Sequence, residues 1–231
     1  MESKDLIIRC SALGSIMTNA RSKSVALSQT CKSHIQERFN ELEFGITDYW
    51  TNQYVQKGTS EEDVSLMMAQ RVHKWEFMSK NEERFTNDFI TGEPDAINDD
   101  FILEIKSSWS MKTFPMYAET NPNKGYEWQL QGYLWLTGKE VGHLSYCLVD
   151  TPEILVVDEL YRTARNQGFI DLPPKVEKEI RDNHSFGHVP EHLRIKTFEI
   201  RRDEEKIEQI KERVNECRNY YNELKLKLEI A

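Results

Sequence analysis

Apolar residues over 61–75 fall at Val64, Met67, Met68 and Val72, a three-to-four spacing that lines one face of a helix. A first helix is read over 24–44. The series Ile207, Ile210, Val214, Cys217, Tyr221, Leu224 and Leu228 carries the helical period through a long terminal helix over 203–228. Between these the pattern changes. Residues 84–90 and 101–106 read as neighbouring strands, separated by a turn over 91–95 and a short strand around Ala96 and Ile97. Residues 107–125, with Trp109, Phe114, Pro115, Tyr117 and Pro122, read as a loop. Its rings are expected mostly to pack on the core, with stacking on unpaired bases as the alternative. A helix over 126–137 ends near Gly138, and 143–150 read as a strand. Residues 153–165 are predicted helical, 173–190 a charged connection with a short helix, and 194–200 alternate as a strand does.

This order predicts one α/β domain of the α+β kind over 1–231: a helical part over about 1–80, a catalytic core over about 81–150 with a central mixed β-sheet flanked by helices, and the C-terminal helix. With 39% hydrophobic and 30% charged residues, the composition is ordinary for such a domain. No apolar run approaches the length of a membrane span, and Met1-Glu2-Ser3-Lys4-Asp5 lacks the basic region and hydrophobic core of a signal peptide. A cytoplasmic protein with no membrane partner is expected. Cys10, Cys31, Cys147 and Cys217 show no C-x-x-C spacing, so neither a zinc site nor a disulfide framework is indicated.

The chemistry concentrates at one place. The run Phe101-Ile102-Leu103-Glu104-Ile105-Lys106 is apolar except for Glu104, and a charge in such a strand costs free energy unless something pairs with it. Side chains alternate along a strand, so Glu104 and Lys106 share one face while Ile105 points into the core. Asp95, in the Gly92-Glu93-Pro94-Asp95 turn, can close the same site. Two carboxylates, a backbone carbonyl at Ile105 and a lysine are the parts of a metal-dependent phosphodiesterase. Carboxylate and carbonyl oxygens suit Mg2+, with Mn2+ also accepted. Lys106 would position or deprotonate the attacking water and balance charge growing on the phosphorane. The plain alternative is an exposed strand with an ordinary Glu and Lys beside a common Pro-Asp turn.

Two flanking segments complete a family pattern. Lys57-Gly58-Thr59-Ser60-Glu61-Glu62-Asp63 is similar to a Gly-x-x-x-Glu-Asp segment that opens a helix, and Glu127-Trp128-Gln129-Leu130-Gln131-Gly132-Tyr133 to a Gln-x-x-x-Tyr helix. Read alone, Glu61, Glu62 and Asp63 are first-turn acids behind an N-capping Thr59 or Ser60, and Gln129 to Tyr133 is one side of an amphipathic helix with Trp128, Leu130, Leu134 and Trp135 on its apolar contacts. In this order, with Asp95, Glu104 and Lys106 between them, they resemble the PD-(D/E)XK nucleases, in the branch of lambda exonuclease and the YqaJ-like viral recombinases.

The resemblance implies a restriction-endonuclease-like core, Glu62 as a further metal ligand beside Asp95, Glu104 and Ile105, and Gln129 with Tyr133 as orienting groups. The segment Ser11-Ala12-Leu13-Gly14-Ser15 behind Arg9 resembles, in shortened form, the family's N-terminal substrate-binding region. It implies that Arg9 holds a terminal 5′ phosphate and that Ser11, with it, binds nucleic acid. Some relatives carry an iron-sulfur cluster on one upstream cysteine and three near the C-terminus. Only Cys217 lies in that region here, so no cluster is expected.

A net charge of -9 argues against a protein that coats nucleic acid, since backbone affinity comes from neutralising phosphates. A nuclease can still focus its basic residues into a groove, and Arg9, Arg21, Lys23, Lys106, Lys112 and Lys124 are the candidates. The expected function is a Mg2+-dependent DNA exonuclease hydrolysing phosphodiester bonds at linear duplex ends, in phage-type recombination or end processing, in the bacterial host cytoplasm if phage-encoded. A single-strand annealing protein as partner and a homotrimer are further implications of the resemblance. A structure-specific or nicking endonuclease and a noncatalytic DNA-end-binding or assembly protein are the alternatives. Retention of Asp95, Glu104, Lys106, Glu62 and Gln129 together favours catalysis.

Overall fold

The computed structural model describes residues 6–22, 24–47 and 51–229; Met1 to Asp5 and Lys23, on which expectations were placed, lie outside them. β4 (Ala96–Ile97), β5 (Phe101–Ser107), β6 (Val141–Cys147) and β7 (Ile195–Arg201) form one sheet in that order. β5 and β6 are parallel and the outer pairs antiparallel, so the sheet is mixed. Parallel neighbours need a crossover. The loop over 108–123 and α5 (Lys124–Thr137) supply it, with the Asn123 side chain accepting the Gly125 N–H at the start and Gly138 left-handed at φ 70° at the end. A second, three-stranded sheet has the order β1 (Ile8–Arg9), β3 (Ile90–Gly92), β2 (Phe85–Thr86).

Alternation along β5 divides the core. Ile102 packs with Leu130, Tyr133 and Leu134 of α5, in a cluster that reaches α2 (Gln29–Phe44) and α8 (Glu204–Glu229). Phe101, Leu103 and Ile105 face the other way, onto Leu66, Met68 and Ala69 of α4 (Glu62–His73). Ile102, Leu103, Leu130 and Leu134 are each 0% exposed, and cutting any one to alanine costs about 2–5 kcal/mol. α1 (Leu13–Ile16) lies so close to α5 that a Cβ on Gly14 would stand 2.7 Å from the Gly125 Cα. The four cysteines are buried free thiols, with the Cys31 and Cys217 sulfurs 3.5 Å apart between α2 and α8. Among the described residues, no helix is long and apolar enough to cross a membrane.

Several predicted boundaries move. The first helix starts at Gln29 rather than at 24, because the Ser28 hydroxyl accepts the Cys31 N–H and caps it there. The stretch 84–90 is two short strands: the Asn87 side chain accepts the Phe89 and Ile90 N–H groups and turns the chain between β2 and β3. The strand read over 143–150 is Val141–Cys147. On α4 the expected inner stripe is partly wrong, since Val64 and Met67 are 49% and 55% exposed. The buried side also contains Ser65, bonded to Ser107 Oγ at 2.9 Å, and Gln70, which bonds both the Met78 N–H and its C=O. Satisfied polar groups inside a core disguise its stripe in the sequence.

Thr59 and Ser60 do not cap α4. They end a separate helix, α3 (Gln53–Ser60), donating their hydroxyls to the Val55 and Lys57 carbonyls. α6 (Glu153–Gln167), α7 (Pro174–Asp182), β7 and α8 lie close to expectation, although Leu228 at the far end of α8 is 52% exposed. In the 108–123 loop Trp109 and Phe114 are buried, whereas Tyr117 is 92% exposed.

Candidate active site

β4 pairs with β5 only through Ala96 with Leu103 and Ile97 with Ile102, which leaves the edge of β5 beyond Leu103 without a strand neighbour. Asp95 fills the next place along that edge, its Oδ2 accepting the Ile105 N–H at 2.6 Å. The N–H and C=O of one extended residue point to the same edge, so the Ile105 carbonyl faces the side on which Asp95 stands.

Glu104 lies on the α5 face of β5 and is 2% exposed. Its Oε1 accepts from Lys106 Nζ at 2.5 Å and from Gln129 Nε2 at 2.8 Å; Gln129 Nε2 also donates to the Tyr133 hydroxyl at 2.9 Å. Gln129 and Tyr133 are one turn apart on α5 and both buried, so one helix face delivers them together. The backbone beneath is bare by necessity. A Cβ on Gly92 would stand 2.5 Å from Tyr133 Cε1 and 2.8 Å from Cys10 Sγ.

The electrostatics follow from this crowding. Burial, and then the facing Glu104, push the Asp95 carboxyl well above the usual carboxylate range against the opposing pull of Lys106 and the Ile105 N–H. Burial alone would lower the Lys106 ammonium, but Glu104 and Asp95 outweigh it and hold the proton on. The ammonium also sits 4.7 Å from the centroid of the Tyr126 ring. Burial and Glu104 raise the Tyr133 hydroxyl, which therefore stays neutral.

Glu62, the first residue of α4, reaches the site from the opposite face of the sheet and forms an ion pair with Lys80 at 2.9 Å. With Asp95, Ile105 and Lys106 it lines a cavity of about 460 Å3, walled by Tyr54, Val55 and Gly58 of α3 and by Trp109, Tyr126 and Tyr146. Glu104 lies behind Lys106 and outside this wall. Among the described residues, no group of three or more His, Cys, Asp or Glu side chains is arranged as a metal-ion site. Glu62 is engaged by Lys80, and Glu104 by Lys106 and Gln129. In kind, the donors fit a hard divalent cation. Asp95, half-buried on the cavity wall, and the buried Glu104 are carboxylates close enough for each charge to oppose the other, and Glu104 Oε2 is buried with no hydrogen-bond partner.

The expected DNA contacts are scattered. Arg9 pairs with Glu41 at 3.2 Å and lines a different cavity, with His34 and Arg38 of α2. Ser11 is exposed in the 3-10 turn Cys10–Ala12. Lys124 lines a groove of about 1080 Å3 that shares Thr113, Tyr126 and Tyr146 with the carboxylate cavity. Arg21 and Lys112 are exposed and line neither. Sequence reasoning missed Tyr126, although its place three residues before Gln129 on α5 puts it on the same face. It also missed Lys80, in an irregular stretch with no pattern to flag it.

No family model matches the chain, and no curated protein matches it. Solved structures do. A phage-related exonuclease from Haemophilus somnus 129PT is 29% identical with a TM-score of 0.80, the match covering 96% of each chain. An alkaline exonuclease from Laribacter hongkongensis is 16% identical with a TM-score of 0.66, over 97% of this chain and 95% of that one. The latter's complex with dAMP superposes with a TM-score of 0.65. The fold shared with the phage-related exonuclease, together with the motif order, bears out the resemblance to the PD-(D/E)XK nucleases in the branch of lambda exonuclease and the YqaJ-like viral recombinases.

Proposed function

We propose that this protein is a Mg2+-dependent deoxyribonuclease that hydrolyses phosphodiester bonds at the ends of linear duplexes. The observation that carries the reading is the single buried Glu104 oxygen shared by Lys106 and Gln129, with a second, half-buried carboxylate at Asp95 on the cavity wall. Like charges held this close beside an open cavity cost stability, and cation-assisted chemistry gives a reason to keep them. The likeness to a phage-related exonuclease supports action from an end rather than within a strand.

Asp95, Glu104, the Ile105 carbonyl and Glu62 would hold the cation. Such an ion supplies Lewis acidity at a non-bridging phosphate oxygen and lowers the pKa of an attacking water. Lys106 keeps its proton at neutral pH and so works as a fixed cation, donating to the phosphate oxygen on which negative charge accumulates. Gln129 holds the Glu104 carboxylate in place, and Tyr133 fixes the Gln129 amide. The rings of Trp109, Tyr126 and Tyr146 wall the cavity beside Lys106. In this reading the protein works in phage-type recombination or end processing in the cytoplasm, as a homotrimer and with a single-strand annealing protein.

The test uses end-labelled linear duplex and closed circular duplex, each with Mg2+, with Mn2+ and with chelator. Release of mononucleotides from the linear substrate alone, only when a cation is present, is the expected result. Nicking of the circle would make the protein an endonuclease, and no cleavage of either substrate would sink the enzymatic reading.

A further inference from the structure

Lys57 is a fully buried lysine, 0% exposed, that forms no ion pair with any described residue. It lies on α3 between Tyr54 and Val55 on one side and Gly58 and Thr59 on the other, four residues that wall the carboxylate cavity. Its Nζ donates to Thr151 Oγ1 at 2.9 Å and to the Trp109 carbonyl at 3.4 Å, and lies 5.3 Å from the centroid of the Phe186 ring. Thr151 Oγ1 in turn sits 3.0 Å from His184 Nδ1, and the Trp109 ring packs against both His184 and Tyr54.

A buried ammonium without a carboxylate partner is expensive, and an apolar side chain of similar volume would fill the place at lower cost. What the ammonium gains is a junction. It ties α3 to the backbone of Trp109, three residues beyond Lys106, and to Thr151 in the segment after β6. We infer that Lys57 is a positioning residue for the nuclease reaction, holding the α3 wall and Trp109 at a fixed distance from Lys106 and Asp95 so that substrate seats in the cavity. Lys57 touches none of the proposed reacting groups and acts only through Trp109 and α3. The inference rests on the proposed nuclease activity, which wild-type cleavage tests separately.

Two variants test it. Lys57→Met keeps volume and removes the donors; Thr151→Val removes the side-chain acceptor and leaves Lys57 in place. Cleavage kinetics and amide hydrogen exchange are measured on both and on wild type. The expected result is a rise in KM of about tenfold or more with a smaller change in kcat, together with faster exchange confined to α3 and the 108–110 amides and no loss of Tm in Lys57→Met. A merely structural lysine would lower Tm and leave KM alone. Unchanged exchange in α3 would overturn the inference even if the wild type proved inactive, and unchanged KM in an active enzyme would overturn it equally.

Discussion

Gln129 donates from Nε2 to the Glu104 carboxylate at 2.8 Å and so ties α5 to β5 at the one point where the strand carries a buried charge. The same nitrogen reaches the Tyr133 hydroxyl, which makes the amide a fixed spacer. Gln129→Leu removes the spacer and leaves Glu104 held by Lys106 alone. Activity should fall by about 10- to 100-fold, the usual effect of losing a group that orients a ligand. Steady-state cleavage of a labelled duplex end checks this; full activity in Gln129→Leu would remove the orienting role.

Lys106→Met should abolish cleavage, and it should also lower stability. On the plain alternative of an exposed strand Lys106 would matter little to the fold, but Lys106 is the cation on Glu104 Oε1, and its removal strands a carboxylate that is 2% exposed. The loss should be about 1–3 kcal/mol. Adding Glu104→Gln to Lys106→Met should restore most of the lost Tm without restoring cleavage, since the neutral amide needs no cation. Calorimetry of the single and double variants separates the two effects.

Asp95→Asn tests the carboxylate pair. Asparagine keeps an oxygen for the Ile105 N–H and removes the charge that faces Glu104. Cleavage should fall by about 10³-fold or more, while Tm at neutral pH should rise by roughly 2–4 °C, equivalent to about 1 kcal/mol in a chain of this size. Millimolar Mg2+ should raise the Tm of wild type and have little effect on Asp95→Asn. An Asp95→Asn protein that is less stable than wild type, yet still responds to Mg2+, would place the cation elsewhere.

The sequence made the centre of this site readable and its rim unreadable, for physical reasons. Asp95, Glu104 and Lys106 lie within twelve positions of one another, where strand alternation and a turn dictate who faces whom. Gln129 and Tyr133 are fixed by the helical period. The long C-terminal helix and the central strands declared themselves by their apolar repeats. α3 did not, because Gln53, Gln56, Lys57, Gly58, Thr59 and Ser60 carry no apolar stripe, and its start is set by the Asn52 cap and its position by Lys57 bonds to residues far along the chain. Arg9 shows the same limit. A motif placed it near substrate, while its partner Glu41 comes from α2, a contact that no local pattern encodes.

Gly92→Ala should be felt at the site without altering Asp95, Glu104 or Lys106. The added Cβ would stand 2.5 Å from Tyr133 Cε1, so the ring must move, and with it the hydroxyl that Gln129 reaches. A stability loss of about 1–3 kcal/mol is expected from overpacking, with a lower kcat in the protein that remains folded. Shortening the neighbour in Gly92→Ala/Tyr133→Leu should recover stability but not activity. A fully active Gly92→Ala protein would show that the Tyr133 position is not required.

The pH dependence of stability should carry the signature of Lys57. Burial lowers its pKa from 10.5 to about 8, with Glu61 and Asp150 opposing the shift; the remaining titratable neighbour is His184, itself held below its ordinary value by burial and by Lys57. Below pH 8 both folded and unfolded chains carry the proton, and the folded state bears the whole cost of the buried charge, on the order of 3 kcal/mol. Between about pH 8 and 10.5 the unfolded chain holds a proton that the folded one has released, so this term makes folding more favourable as pH rises. Lys57→Met has no such group. Its stability relative to wild type should therefore be highest below pH 8 and decline steadily as the pH approaches 10.5. Denaturant melts of the two proteins at matched pH values measure the difference, and a gap that stays constant from pH 7 to 10 would mean that the Lys57 ammonium is not desolvated in the folded protein.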